Sequence, residues 1–158
     1  KLTFKGIQPY AGCTYIGIKN NCTMDTLSGK MSDDFAKLSA WAAQHAGDVA
    51  GPGFSIYHTW DVVKNKVAYT SAFPVKQVPG QLPAEFISGL IPAMNVNTIA
   101  HTGTYAHLSN AWTTQYMMQR NKEYKYRKGI DPFEVYANMP GQVPDEHLVT
   151  EIHFPVAG

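Results

Sequence analysis

The sequence predicts an α+β fold: two tandem β-α-β-β modules whose antiparallel sheets enclose a central ligand groove. Three observations carry that prediction. Short runs with apolar residues at alternate positions are interspersed with two stretches of helical spacing. A segment rich in proline and glycine divides the chain near its middle. Two strings also recur: Phe54-Ser55-Ile56-Tyr57 matches Phe133-Glu134-Val135-Tyr136, and Ala72-Phe73-Pro74-Val75 matches His153-Phe154-Pro155-Val156, at nearly equal separations. Two copies this long point to a duplicated module rather than a solenoid.

In the first copy, Leu2 to Ile7 reads as a strand or a lead-in, and Thr14 to Ile18 as a strand in which Ile16 and Ile18 alternate with Tyr15 and Gly17. Met31 to Gly47 turns helical, with Ser32 as N-cap, Asp33 and Asp34 in the first turn and Gly47 at the end. Phe35, Leu38, Trp41 and Ala42 then share one face, a stripe expected to pack into a core. Phe54 to Tyr57 and Val67 to Val75 complete the copy, with Pro74 ending the last strand. Pro79, Gly80, Pro83, Gly89 and Pro92 mark a connector with a helical turn around Ala84 to Ile87.

The second copy repeats the order. Asn95 to His101 is a strand, Gly103-Thr104-Tyr105 a break, and Leu108 to Gln119 a helix with Leu108, Trp112, Tyr116 and Gln119 at helical spacing. Phe133 to Ala137 and Val149 to Val156 follow as strands. The reading is one domain over residues 1–158, with module one at about 1–78, the connector at about 79–93 and module two at about 94–158.

A chain of 158 residues, 44% hydrophobic and 16% charged, is large enough to bury a core. Its net charge of +1 supplies no basic stripe for nucleic acid, and the run Lys122 to Lys128 reads as a solvated loop. Cys13 and Cys22 are too few for a disulfide framework and are read as reduced thiols of a cytoplasmic protein. No apolar run approaches the roughly 20 residues that cross a bilayer, so no membrane partner is expected. His101, His107 and His153 lack ligand spacing, so neither metal nor cofactor is expected. The chain opens on Lys1 rather than methionine, so a further domain N-terminal to Lys1 is kept open.

Successive strand residues point to opposite faces. Phe54, Ile56 and Phe73, or Phe133, Val135, Ile152 and Phe154, are therefore expected against the helix of each module. The reverse faces would carry Ser55, Tyr57, Thr70 and Ala72 in one copy and Glu134, Tyr136, Glu151 and His153 in the other. Sheets joined side by side would turn these faces into a shared groove, asymmetric because Ser55 stands where the other copy has Glu134.

The run Gly103-Thr104-Tyr105, the helix bearing Trp112, the strand Phe133 to Tyr136 and the closing Thr150-Glu151-Ile152-His153-Phe154-Pro155-Val156 resemble the GyrI-like (gyrase-inhibitor-like) small-molecule-binding superfamily over nearly the whole chain. The resemblance implies paired strand-helix-strand-strand (SHS2-type) modules that bind bulky, flat, often cationic compounds, alone or as effector-binding parts of multidrug-responsive transcription regulators. It places Glu134 on the family's acidic strand position and Tyr57 and Tyr105 on or near aromatic positions of the pocket; Tyr15, Trp112 and Tyr136 transfer less directly. Met94 stands where many relatives have glycine, and the lysine-rich loop Asn121 to Ile130 is longer than usual. No helix-turn-helix is seen, which argues against direct DNA binding.

Residue chemistry supports a binding role independently. A carboxylate in an apolar groove is costly until a positive partner arrives, and aromatic walls attract cations through their quadrupoles. The ligand-binding set is Glu134, Tyr57, Tyr105, Tyr136, Tyr15, Trp112 and Glu151. Bland readings stand beside it: Glu134 and Glu151 as solvent-facing or lysine-paired acids, Tyr57 and Tyr136 as packing tyrosines, and Trp112 as helix core. The alternative function is a hydrolase of cyclopropane-containing genotoxic natural products, an activity the resemblance suggests, with Glu134 as general base and Tyr105 as proton donor.

Overall fold

The computed structural model describes residues 1–158. Its strands are β1 (Leu2–Tyr10), β2 (Cys13–Cys22), β3 (Phe54–Asp61), β4 (Lys66–Val75), β5 (Ile87–Ile91), β6 (Met94–Thr102), β7 (Phe133–Tyr136) and β8 (Val149–Val156). The helices are α1 (Leu27–Gln44) and α2 (Ser109–Arg120). The protein is therefore α+β, with two copies of a β-α-β-β unit: β2-α1-β3-β4 and β6-α2-β7-β8. Each copy gains one strand beside its first. Residues 12–92 form one compact unit with strand order β3-β4-β2-β5; residues 1–11 and 93–158 form the other, ordered β1-β6-β8-β7. All pairings within each unit are antiparallel.

The opening strand β1 pairs along β6, in the unit of the second copy. The connector supplies β5, which pairs with β2 from Ile87 opposite Gly17 to Ile91 opposite Cys13. The turn expected around Ala84 to Ile87 is present at Pro83–Phe86, where the Phe86 amide donates to the Pro83 carbonyl at 2.9 Å, and β5 follows it because Gly89 permits close approach. A Cβ at Gly89 would lie 2.4 Å from Cζ and the hydroxyl of Tyr15, so only glycine lets that ring lie across β5. Cys13 and Cys22 terminate β2 at opposite ends. At about 3.3 Å per residue they lie about 30 Å apart, beyond disulfide reach of one another.

Helix α1 begins before the expected Ser32. The Thr26 hydroxyl donates to the carbonyl of Thr23 and accepts from the amide of Thr23, closing a turn from which Leu27 enters the helix. Leu38 and Trp41, flanked by Phe35 and Ala42, then pack on Ile16, Ile18 and Val75. Asp34 is not a first-turn acid facing the helix dipole. It is buried, accepting from the hydroxyl of Tyr69 at 2.6 Å and the side-chain amide of Asn20 at 2.8 Å, which ties α1 to β2 and β4.

Helix α2 is tied by an amide instead. Gln115, fully buried, donates to the carbonyls of Asn97 (2.8 Å) and Ile152 (3.0 Å) and accepts from the Asn97 amide (2.8 Å) and the Tyr124 hydroxyl (3.0 Å). Around it Ala111, Ile99, Ile152 and Phe154 form the core of this unit, with Leu108 and Trp112 against them. The lysine-rich loop is not simply solvated. Tyr124 is buried, the amide of Arg127 donates to Pro155 at 2.9 Å, and the amide of Ala157 donates to Lys125 at 2.8 Å.

Asp34→Ala leaves a buried phenol and an amide without their acceptor, and is expected to cost about 2–4 kcal/mol of unfolding free energy in urea titrations. A loss under about 0.5 kcal/mol would mean that the triad does not anchor α1.

Candidate functional site

Register decides which side chains meet. Residues directly opposite in an antiparallel pair share a face. Phe133 lies opposite His153, Glu134 opposite Ile152, Val135 opposite Glu151 and Tyr136 opposite Thr150. Since Ile152 and Phe154 pack under α2, Glu134 and Tyr136 are on the helix-side face, and Phe133 and Val135 are on the reverse. This corrects the expectation from hydrophobicity alone. In the other unit, Ser55 and Tyr57 likewise lie opposite Ser71 and Tyr69 on the helix side. The Tyr57 hydroxyl reaches the sulfur of Met31 on α1 at 3.6 Å. Phe54 and Ile56 face the other way with Ala72 and Thr70.

The inversion misleads a sequence reader because both faces are covered. Phe133 is buried on the reverse face by the rings of Tyr10 and His153, each centred 5.1 Å away. Phe54 is buried there by Tyr15, edge-on at 5.6 Å.

The helix-side face of the second copy therefore carries the candidate site. Glu134 is 2% exposed. Tyr105, from the 3-10 turn Tyr105–His107 that follows β6, sets its ring 6.1 Å from that of Tyr136. Tyr105 keeps 37% of its surface in solvent, while Tyr136 is buried. Burial, with the negative charges of Glu134 and Asp145 added, pushes the Tyr105 phenol up to about 12. It remains protonated across the physiological range, an O–H donor within the field of a carboxylate. Gly103 precedes it at φ +138°, a conformation that glycine adopts without strain and that lets the chain leave β6 sharply.

Four candidates lie elsewhere. Glu151 is on the reverse face, where it pairs with Lys5 at 2.5 Å, so it behaves as a lysine-paired acid. Tyr15 is on the reverse face of its own unit, packed over Gly89 and Phe54. Trp112 packs on Phe154 at 5.4 Å as part of the α2 core. Tyr57 occupies in the first copy the place that Tyr136 occupies in the second. Two buried residues outside the expected ligand-binding set, His101 and Thr150, share the Glu134 face, a placement that only the register reveals.

No group of three or more His, Cys, Asp or Glu side chains is arranged to hold a metal ion. No helix is long and apolar enough to cross a membrane. An open depression of about 640 Å³ beside α1, walled by Ala42, Ala46, Val49 and Phe73, carries none of the candidate residues and no charged group.

The family described as the GyrI-like small molecule binding domain matches residues 11–157. The chain belongs to this family. Among curated proteins no sequence matches it. Among solved structures, EcmrR in a complex with DNA superposes with a TM-score of 0.76 at 17% identity over 99% of this chain. This GyrI-like chain spans 57% of the length of that one. The isolated EcmrR C-terminal domain superposes at 0.69 with 20% identity, covering 99% of this chain and 97% of that one. SAV2435 bound to tetraphenylphosphonium superposes at 0.73 with 16% identity, covering 99% of this chain and 94% of that one.

On the reverse face His153 receives a hydrogen bond from, or gives one to, Thr98 at 2.8 Å, and lies 3.9 Å from Glu151. Burial pulls it down to about 4 despite the nearby Glu151 charge, so the folded state resists protonating it. A histidine depressed in the folded state makes the unfolded chain the better proton acceptor from about pH 6.5 down to about 4. Stability is therefore expected to fall with pH over that window, by about 1–2 kcal/mol between pH 7 and pH 5. Urea unfolding of the wild type and of His153→Gln checks this; an equal pH slope in both would contradict it.

Proposed function

We propose that this GyrI-like domain binds bulky hydrophobic cations, with Glu134 as the counter-charge and Tyr105 and Tyr136 as the aromatic contact surface, in the service of effector sensing or sequestration. The observation that carries the reading is the burial of Glu134 beside these two tyrosines. Burial removes the water that would otherwise solvate a carboxylate, which makes a cation of low hydration a favoured partner. Aromatic faces add attraction of about 0.5–2 kcal/mol each without demanding a fixed hydrogen-bond pattern, so specificity is broad. Micromolar affinity, about 8 kcal/mol, is within reach of such a set.

The tetraphenylphosphonium complex of SAV2435 supports a lipophilic cation as the ligand class. The likeness to the C-terminal domain of EcmrR, a protein seen in a complex with DNA and of which this chain spans 57%, supports a role as the small-molecule-binding part of a longer protein. A hydrolase reading draws on the same pair: Glu134 takes a proton from a water whose oxygen bonds a cyclopropane carbon as the ring C–C bond breaks, and the protonated Tyr105 gives a proton to the leaving centre. Release of ring-opened product dependent on Glu134 is its signature, whereas one-to-one binding without product leaves the sensor.

Titration with tetraphenylphosphonium, followed by tryptophan fluorescence, is expected to give saturable binding that Glu134→Gln weakens about tenfold or more, about 1.4 kcal/mol. Equal affinity in the variant would remove the charge hook.

A further inference from the structure

The two copies differ at one pair of equivalent places, a difference that neither the repeat nor the acidic strand explains. Phe73 and Phe154 are repeat partners, and four residues before them stand Tyr69 and Thr150. Across the sheet, Tyr69 lies opposite Asn20 and Thr150 lies opposite His101. Asn20–Tyr69 and His101–Thr150 are thus the same pair of places, on the helix-side face of each unit.

In the first copy that pair is closed. Tyr69 is fully buried, and both it and Asn20 are bonded to Asp34 from α1. In the second copy the large phenol is replaced by threonine. His101 is 2% exposed and Thr150 is 1% exposed, yet neither Nδ1 of His101 nor Oγ1 of Thr150 has a hydrogen-bond partner. A buried polar atom without a partner costs about 1–3 kcal/mol. Two of them on directly opposed residues are not expected of a purely structural position. The next residue in the same cross-strand row is Tyr136, opposite Thr150 on β7, whose ring adjoins that of Tyr105.

We propose that His101 and Thr150 form a hydrogen-bonding subsite for a hydroxyl or carboxamide substituent on a guest whose aromatic body lies against Tyr105 and Tyr136. This rests on the cation-binding reading above and narrows its ligand class. The chemistry is complementary: a neutral imidazole has one donor and one acceptor nitrogen, and a threonine hydroxyl both donates and accepts. A group that also does both satisfies the pair. Burial, with the positive amino terminus of Lys1 next, pushes the His101 imidazole below its ordinary range, which favours the neutral ring. Broad aromatic recognition would accept many flat cations; this pair would rank them.

The test uses two probes that differ by one group, tetraphenylphosphonium and (4-hydroxyphenyl)triphenylphosphonium, against the wild type, Thr150→Val, His101→Phe and Glu134→Gln. The wild type is expected to bind the hydroxylated probe about fivefold or more tightly than its parent. Thr150→Val, which keeps the side-chain shape, is expected to bind the parent as the wild type does and to lose the preference; His101→Phe is expected to lose it too. Glu134→Gln should weaken both probes alike and keep the preference. Absence of a preference in the wild type, or its survival in both Thr150→Val and His101→Phe, overturns the subsite while Glu134-dependent binding of the parent leaves the cation reading standing. Failure of the wild type to bind either probe overturns both. Thermal unfolding supplies the second readout. Thr150→Val should melt no lower than the wild type, and a clear drop would assign the hydroxyl to the fold and overturn the proposal.

Discussion

A strand register of four residue pairs governs the second unit. With Glu134 opposite Ile152, the carboxylate has to share the face on which α2 packs, and the fold buries it to 2% exposure. A shift of one residue would exchange Glu134 with Phe133 and move the charge to the reverse face. That register is held on the reverse face by the packed rings of Tyr10, Phe133 and His153, while Gln115 on the helix side ties β8 to β6. The placement of the acid is therefore a consequence of packing on both faces of the sheet.

Much of the architecture was legible in the sequence. The duplicated strings around Phe54 and Phe133 carry the strand order, and β8 matches its expected span because Ile152, Phe154 and Val156 alternate with polar or proline neighbours. The stripe Phe35, Leu38, Trp41 located α1 but not its start, since the Thr23–Thr26 turn that launches it is made of hydroxyls without a periodic signal. Faces were not legible. The rule that apolar residues face the helix fails where both faces are dry, as at Phe133 and Phe54, and only cross-strand pairing resolves it. β5 was hidden because Gly89 reads as a loop residue until the Tyr15 ring that it accommodates is seen.

The two copies have diverged in what their equivalent places do. In the first copy Asp34 holds Tyr69 and Asn20, and Ser55 stands at the acidic position. The second holds its helix with Gln115 and carries Glu134, Tyr136, His101 and Thr150 on the same helix-side face, with Tyr105 beside Tyr136. In the proposed reading, recognition falls to the second module, and the first is free to serve stability.

The most direct test of whether that acid recognises charge is a calorimetric comparison of methyltriphenylphosphonium with triphenylphosphine oxide, an uncharged molecule bearing the same three rings. The wild-type domain is expected to favour the cation by about tenfold or more, a gap of about 1.4 kcal/mol. Equal affinity for the two would contradict the account.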